Sequence, residues 1–224
     1  MRALVVGGTS GLGLEMAKLL LERGDVIVTG RKNPEIAGLT FHRWDMAITT
    51  DGLLEQVVQM GRLFIGGPPI DLLIWAAGFY QKGTLGELST EDILRMNNLG
   101  LLAPAIFLKN IIQKQTLLPG FIAITSTSQW TPRKEEPLYT AVKAGLGMLA
   151  NSLSFDPALG KVLVAAPAGM KTKFWGNALR ETNDMLDPRW VAEVILGNYE
   201  CDDYGYRFMK ILRNPTRVEI AETR

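Results

Sequence analysis

The sequence predicts an α/β fold in which helices cover both faces of a mainly parallel sheet. Three observations predict it. Short β-branched apolar runs alternate with segments of helical spacing along the chain. A glycine-rich turn joins the first strand to the first helix. The 224 residues, 47% hydrophobic and 21% charged, suit a single core spanning residues 1–224. No internal repeat, low-complexity tract or linker divides them.

Ala3 to Val6 is an apolar run ending in glycines, and Leu12 to Arg23 then carries helical spacing at Leu12, Met16, Leu19 and Leu20. Gly24 stops that helix, and Asp25 to Thr29 is a second, β-branched strand. Leu39 to Trp44 reads as strand three. The connection before it is short and contains Pro34, which leaves little room for a helix. Gly52 to Met60 reads as a helix, and Ile70 to Trp75 as strand four after the turn-forming Gly66-Gly67-Pro68-Pro69. Ser89 with Asp92 is a cap for a long helix through about Gln115, which Pro104 should kink or interrupt. Phe121 to Thr125, Val162 to Ala166 and Tyr206 to Leu212 supply three further strands, with helices at Pro137 to Leu153 and Pro188 to Leu196. Strands buried on both faces read as such continuous apolar runs.

Between the first strand and helix stands Gly7-Gly8-Thr9-Ser10-Gly11-Leu12-Gly13. The spacing G-x-x-x-G-x-G departs from the G-x-G-x-x-G dinucleotide fingerprint, but the physics is shared. Small residues let backbone approach a pyrophosphate, and amides at a helix N-terminus hold its charge. The bland alternative is a tight connection without a ligand. An NAD-preferring site places an acid at the end of strand two, to accept from the ribose hydroxyls. Here that place holds Gly30-Arg31-Lys32. A carboxylate would repel a 2′-phosphate, whereas Arg31 offers a planar charged fork and Lys32 a second cation, so NADP(H) is favoured over NAD(H).

Tyr139 and Lys143 stand four residues apart on a predicted helix and so share a face. A phenol with a pKa of about 10 is a poor base at neutral pH, and a nearby cation stabilises its phenolate. Y-x-x-x-K alone is common, with an exposed helical pair as its ordinary meaning. Ser126, however, lies 13 residues upstream at the end of an apolar strand.

In these three elements, in this order, the chain from Arg2 to about Thr172 closely resembles the short-chain dehydrogenase/reductase family, in its compact branch. The resemblance implies a Rossmann fold with a seven-stranded, mainly parallel, doubly wound sheet. It implies Tyr139 as acid/base, Lys143 as the group that lowers its pKa and holds the nicotinamide ribose, and Ser126 as donor to the substrate carbonyl. Asn97, in Asn97-Asn98-Leu99-Gly100, matches the family's N-x-x-G pattern and would anchor a proton-relay water; Asn98 fits that spacing less well. The resemblance further implies cofactor contacts from Asp45 and Met46 at the adenine, from Ala76, Ala77 and Gly78 after strand four, and from Pro167, Gly169 and Thr172 near the nicotinamide. It implies a homodimer or homotetramer joined through the helices containing Asn97 and Tyr139.

The chain departs from the family at two places. Trp75-Ala76-Ala77-Gly78 stands for the usual N-N-A-G, with Trp75 read as core packing, and Ala168 replaces the glycine of P-G-x-x-x-T, where Gly169 is the alternative turning point. Phe174, Trp175 and Leu186, within a substrate-side segment at about 173–186, are candidates for an apolar lid or for burial against the domain. Their place beyond the strand ends is where open α/β sheets bind ligands.

Twenty-four basic and 23 acidic residues give a net charge of +1. No global field draws in nucleic acid or an anionic membrane, and a small neutral carbonyl or alcohol is the easier substrate to expect. Cys201 as the single cysteine excludes an intrachain disulfide and a multi-cysteine metal site, and a reducing, cytoplasmic setting fits. Neither a signal-peptide core nor an apolar run of about 20 residues is present. His42 reads as structural and metal catalysis has no support. The resulting expectation is an NADP(H)-dependent oxidoreductase. Two alternatives stand beside it: a non-catalytic nucleotide-binding regulator or scaffold, and an NAD-holding nucleotide-sugar enzyme, for which little chain remains after Thr172.

Overall fold

The computed structural model describes residues 1–45, 52, 55, 57, 59–61, 67–176, 184–201 and 203–224. Its strands are β1 (Arg2–Val6), β2 (Asp25–Gly30), β3 (Leu39–Arg43), β4 (Leu72–Trp75), β5 (Leu118–Ile124), β6 (Leu159–Pro167), β7 (Tyr206–Leu212) and β8 (Arg217–Thr223). Its helices are α1 (Gly11–Leu20), α2 (Thr90–Asn97), α3 (Ala103–Gln115), α4 (Pro137–Leu153) and α5 (Pro188–Glu200). Residues 52, 55, 57 and 59–61 are also helical, at the place where the sequence predicts a helix. No helix forms between β2 and β3.

The strands make one sheet in the order β3-β2-β1-β4-β5-β6-β7-β8. The first seven are parallel, and β8 runs antiparallel to β7. Alternation along β1 shows why both faces need helices. Leu4 and Val6 join a core with Phe107 of α3 and Leu146 of α4, while Ala3 and Val5 join a second core with Met16 of α1 and Ile195 of α5. Trp75 is fully buried, packed against Trp44 and Phe107 with ring centroids 6.1 Å away in each case. It is core packing, as the sequence suggests.

Two features differ from expectation. The sheet has eight strands, because a short turn after Leu212 lets β8 pair beside β7 without a crossover. Its residues are mostly exposed, and the charged Arg217, Glu219 and Glu222 flank and separate Val218 and Ile220. That is an edge strand blunted by charge, with no continuous apolar run to announce it. The long helix also divides. Ser89 and Asp92 form the predicted reciprocal cap, and Asp92 N–H donates to Ser89 Oγ at 3.1 Å. The chain then widens into a π turn over Asn98–Leu102 before α3 begins, with Pro104 in its first turn. Proline has no N–H to give the preceding turn, and the wider turn carries the chain past that position.

Strand order reverses between β1, which continues to β2 on one side, and β4 on the other. The carboxyl ends of these strands open a crevice there, and the glycine turn lies in it. No helix among the described residues is long and apolar enough to cross a membrane.

Candidate active site

Gly7 holds the glycine turn against the loop after β4. Its φ of +82° is a left-handed conformation, and a Cβ added there would lie 2.6 Å from Ala77 Cα. The turn thus meets the Ala76-Ala77 backbone directly, and Gly78 follows exposed. Thr9 packs over Gly30, at the end of β2. Ser10 stands at the N-cap of α1 without a side-chain capping bond, and Gly11 beside it faces Thr172. Leu12 and Gly13 are buried at the start of the helix. Arg31 and Lys32 are exposed just past β2 and make no ion pair among the described residues. Asp45 is exposed after β3, and Met46 lies outside the described residues.

A second cluster forms where β5 and α4 meet. Tyr139 and Lys143 occupy one buried face of α4, 8% and 6% exposed. The Lys143 ammonium donates to the Ile124 carbonyl at 3.0 Å, lies 5.8 Å from the Tyr139 ring centroid, and closely approaches Gly78. Burial pushes its pKa down to about 8, because an apolar surrounding penalises the charged form. Ser126 leaves the sheet just beyond the same strand, its Oγ accepting from Ser128 N–H at 3.2 Å. Ser126 and Tyr139 line a common cavity of about 470 Å³ with Ala168, Gly169 and Trp175.

The remaining predicted residues divide. Thr172 caps a short turn, accepting from Phe174 N–H at 3.3 Å, and Phe174 and Trp175 reach the Tyr139 side. Phe174 lies 6.0 Å from Tyr139 and 5.3 Å from Trp175 between ring centroids. Leu186 does not join them. It is buried in the core beside α1 and α5, and its backbone bonds to Gly169 and Lys171 pin the returning chain. Pro167 ends β6, and Ala168 N–H continues the sheet by donating to Ile211 at 2.8 Å. Residues 177–183 of the expected substrate-side segment lie outside the described residues.

Asn97 donates from Nδ2 to Ile93, within its own helix, at 2.9 Å, and Asn98 is buried. The helical stretch instead approaches α4 at Gly100, where a Cβ would lie 2.7 Å from that of Val142. The structure therefore brings Ser126, Tyr139 and Lys143 together, and the Asn97 Nδ2 bonds within its own helix.

Sequence reasoning missed Tyr80, Glu136 and Arg133. Tyr80 packs against Tyr139, Phe174 and Trp175 and donates from its hydroxyl to Glu136 at 3.1 Å. Glu136 is buried at the N-cap of α4 and, like Arg133, lines the cavity. Its place just before Pro137, a residue favoured in a helix's first turn, is the one local signal the sequence carries.

Comparison with known proteins identifies the family. The short chain dehydrogenase family model matches residues 1–183, and the chain belongs to that family of oxidoreductases. A 2-dehydro-3-deoxy-D-gluconate 5-dehydrogenase of Formosa agariphila is 27% identical over 167 residues, which cover 69% of this chain and 62% of that protein. A 3-oxoacyl-[acyl-carrier-protein] reductase of Mus musculus is 26% identical over 94% of this chain and 90% of that one. An alcohol dehydrogenase from Thermococcus sibiricus, complexed with 5-hydroxy-NADP, superposes with a TM-score of 0.81 at 18% identity, covering 96% of this chain and 97% of that one. That likeness shows a shared fold.

Proposed function

We propose that the protein is an NADP(H)-dependent oxidoreductase interconverting a carbonyl and an alcohol. The observation that carries this reading is the convergence of Ser126 and Tyr139 on one cavity wall, with the Lys143 ammonium buried beside the phenol. A nicotinamide cofactor held in the crevice at the glycine turn would supply the hydride for the carbonyl carbon, or accept it from the alcohol. Tyr139 gives its phenolic proton to the oxygen as negative charge grows there, and Ser126 donates a second hydrogen bond to the same atom. Lys143 stabilises the phenolate that remains. In the oxidative direction Tyr139 takes the proton back. Asn97, whose Nδ2 donates to Ile93 within its own helix, enters this reading as the anchor of a proton-relay water.

The residues present fit the cofactor. The glycine turn brings backbone to the crevice, Ser10 leaves α1 without a side-chain cap, and Arg31 and Lys32 stand beyond β2 as cations for a 2′-phosphate. Arg31→Ala is expected to weaken NADPH binding about tenfold to a hundredfold, the worth of one charge-assisted hydrogen bond or pair of them, with little change for NADH. Fluorescence titration with both nucleotides measures this, and equal losses for the two would remove the preference. A carbonyl panel followed by NADPH oxidation tests the activity itself. Tight nucleotide binding with silence across the panel would instead support a regulator.

The same reading includes self-association through the helices carrying Asn97 and Tyr139. Met148 of α4 is 65% exposed and Leu102, before α3, 44%, an apolar display that a second copy would cover. Met148→Glu is expected to lower the mass seen by light scattering, and an unchanged mass would place any interface elsewhere.

A further inference from the structure

Among the described residues, the lining of the cavity holding Ser126 and Tyr139 is more positive than the chain as a whole: Arg133, Lys134 and Arg213 stand there against one carboxylate, Glu136, whereas the full sequence is nearly balanced. A cleft lined by one sign of charge concentrates its field on whatever enters. The cations differ in what already engages them. Arg213 pairs with Asp184 at 3.0 Å, and Asp184 also accepts from Asn214 Nδ2 at 3.1 Å, so this guanidinium serves to fasten the chain returning toward Leu186. Arg133 has no carboxylate partner among the described residues. The two acids nearest in sequence are turned to others: Glu135 to Lys82 at 3.1 Å, and Glu136 to the Tyr80 hydroxyl.

Arg133 is exposed and, among the described residues, has one tether to the cavity wall. Its Nη2 donates to Thr127 Oγ1 at 3.1 Å, and Thr127 is the neighbour of Ser126. One nitrogen of the fork is used in this tether, and Nη1 and Nε are left for a ligand. The planar guanidinium matches a planar carboxylate, and charge-assisted bonds of this kind are the stronger ones at a partly solvated site.

We propose that the cavity selects a carbonyl or hydroxy compound that also bears a carboxylate, received by Arg133 with Lys134 adding to the field, while Ser126 and Tyr139 hold the reacting oxygen. This rests on the oxidoreductase reading above and narrows it to oxo acids and hydroxy acids. It replaces the neutral substrate that the overall charge suggests. The reaction is the one already written, a hydride to carbon and a proton from Tyr139 to oxygen, and the carboxylate takes no part in bond making.

The test compares short oxo acids with their methyl esters, which keep the carbon skeleton and remove the charge. With NADPH saturating, kcat/KM for the acid should exceed that for the ester by about tenfold or more, the discrimination of roughly 1.4 kcal/mol or above. Arg133→Ala should bring that ratio close to one, chiefly through KM for the acid, and Arg133→Lys should retain part of it. Quenching of tryptophan fluorescence by acid and ester reports binding independently of turnover, through Trp175 in the cavity wall. Acid binding without any turnover would leave the selectivity standing and overturn the oxidoreductase reading. Equal handling of acid and ester by the unaltered protein, or a ratio unaffected by Arg133→Ala, would overturn the selectivity. So would a clear preference for a phosphorylated carbonyl over the carboxylate.

Discussion

Tyr139→Phe is expected to lower kcat for carbonyl reduction by about a hundredfold to ten-thousandfold, the range supplied by a positioned general acid. The substitution removes one oxygen and little else. The ring packs edge-on to Tyr80 at 6.5 Å and beside Phe174 at 6.0 Å, contacts that phenylalanine keeps. Lys143 stays anchored to Ile124, so α4 retains its tie to β5. Nucleotide affinity should therefore move by no more than about twofold, since the lost hydroxyl serves the reacting oxygen and the crevice beyond β1 is untouched. Nucleotide titration beside a turnover assay separates the two quantities. Turnover retained in this variant would falsify the assignment of Tyr139, whereas a parallel loss of nucleotide binding would recast it as a positioning residue. Ser126→Ala should fall less steeply, because Tyr139 still donates to the same oxygen.

The parts of this site that the sequence discloses share a physical character: each is fixed by its own neighbourhood in the chain. The glycine turn follows a strand and opens a helix, and both flanking elements have clear periodicity. Tyr139 and Lys143 are one helical turn apart, so any helix at Pro137–Leu153 puts them on one face. Ser89 and Asp92 form their cap within three residues. What the sequence hides depends on distant pieces meeting. Tyr80 reaches Glu136 across 56 residues, through a loop with no repeating pattern. Leu186 looks like a lid residue by position, yet its backbone pairing with Gly169 and Lys171 draws it into the core. Gly100, read only as the end of a motif, is the point where the helical stretch presses on Val142. The eighth strand has an exposed, charged surface, and burial is what usually makes a strand visible in sequence.

Lys143 joins catalysis to stability with opposite signs. Its ammonium is the charge that makes a phenolate accessible at Tyr139, yet burial lowers its pKa from an ordinary 10.5 to about 8. The unfolded chain therefore holds a proton between those values that the folded protein has released. Stability must rise with pH across that interval, by about 1.4 kcal/mol for each unit, and the penalty for burying the charge is fully present below about pH 8. Tyr199 and Tyr206 limit the upper end. Burial raises both phenols to about 12, so above pH 10 the unfolded state loses protons that the folded state keeps, and stability falls again. The usable window is thus about pH 8 to 10. Denaturation of the unaltered protein and of Lys143→Met across this window should show their stability difference shifting by about 2 to 3 kcal/mol in favour of the lysine as pH rises. A constant difference would mean that Lys143 stays protonated and its burial is compensated. The same variant should lose about a hundredfold or more in kcat at pH 7, where its ammonium is present in the unaltered protein. A residue that weighs on the fold at the pH where it serves the reaction is the signature of a functional group, and methionine, which fills the space without the charge, separates the two effects.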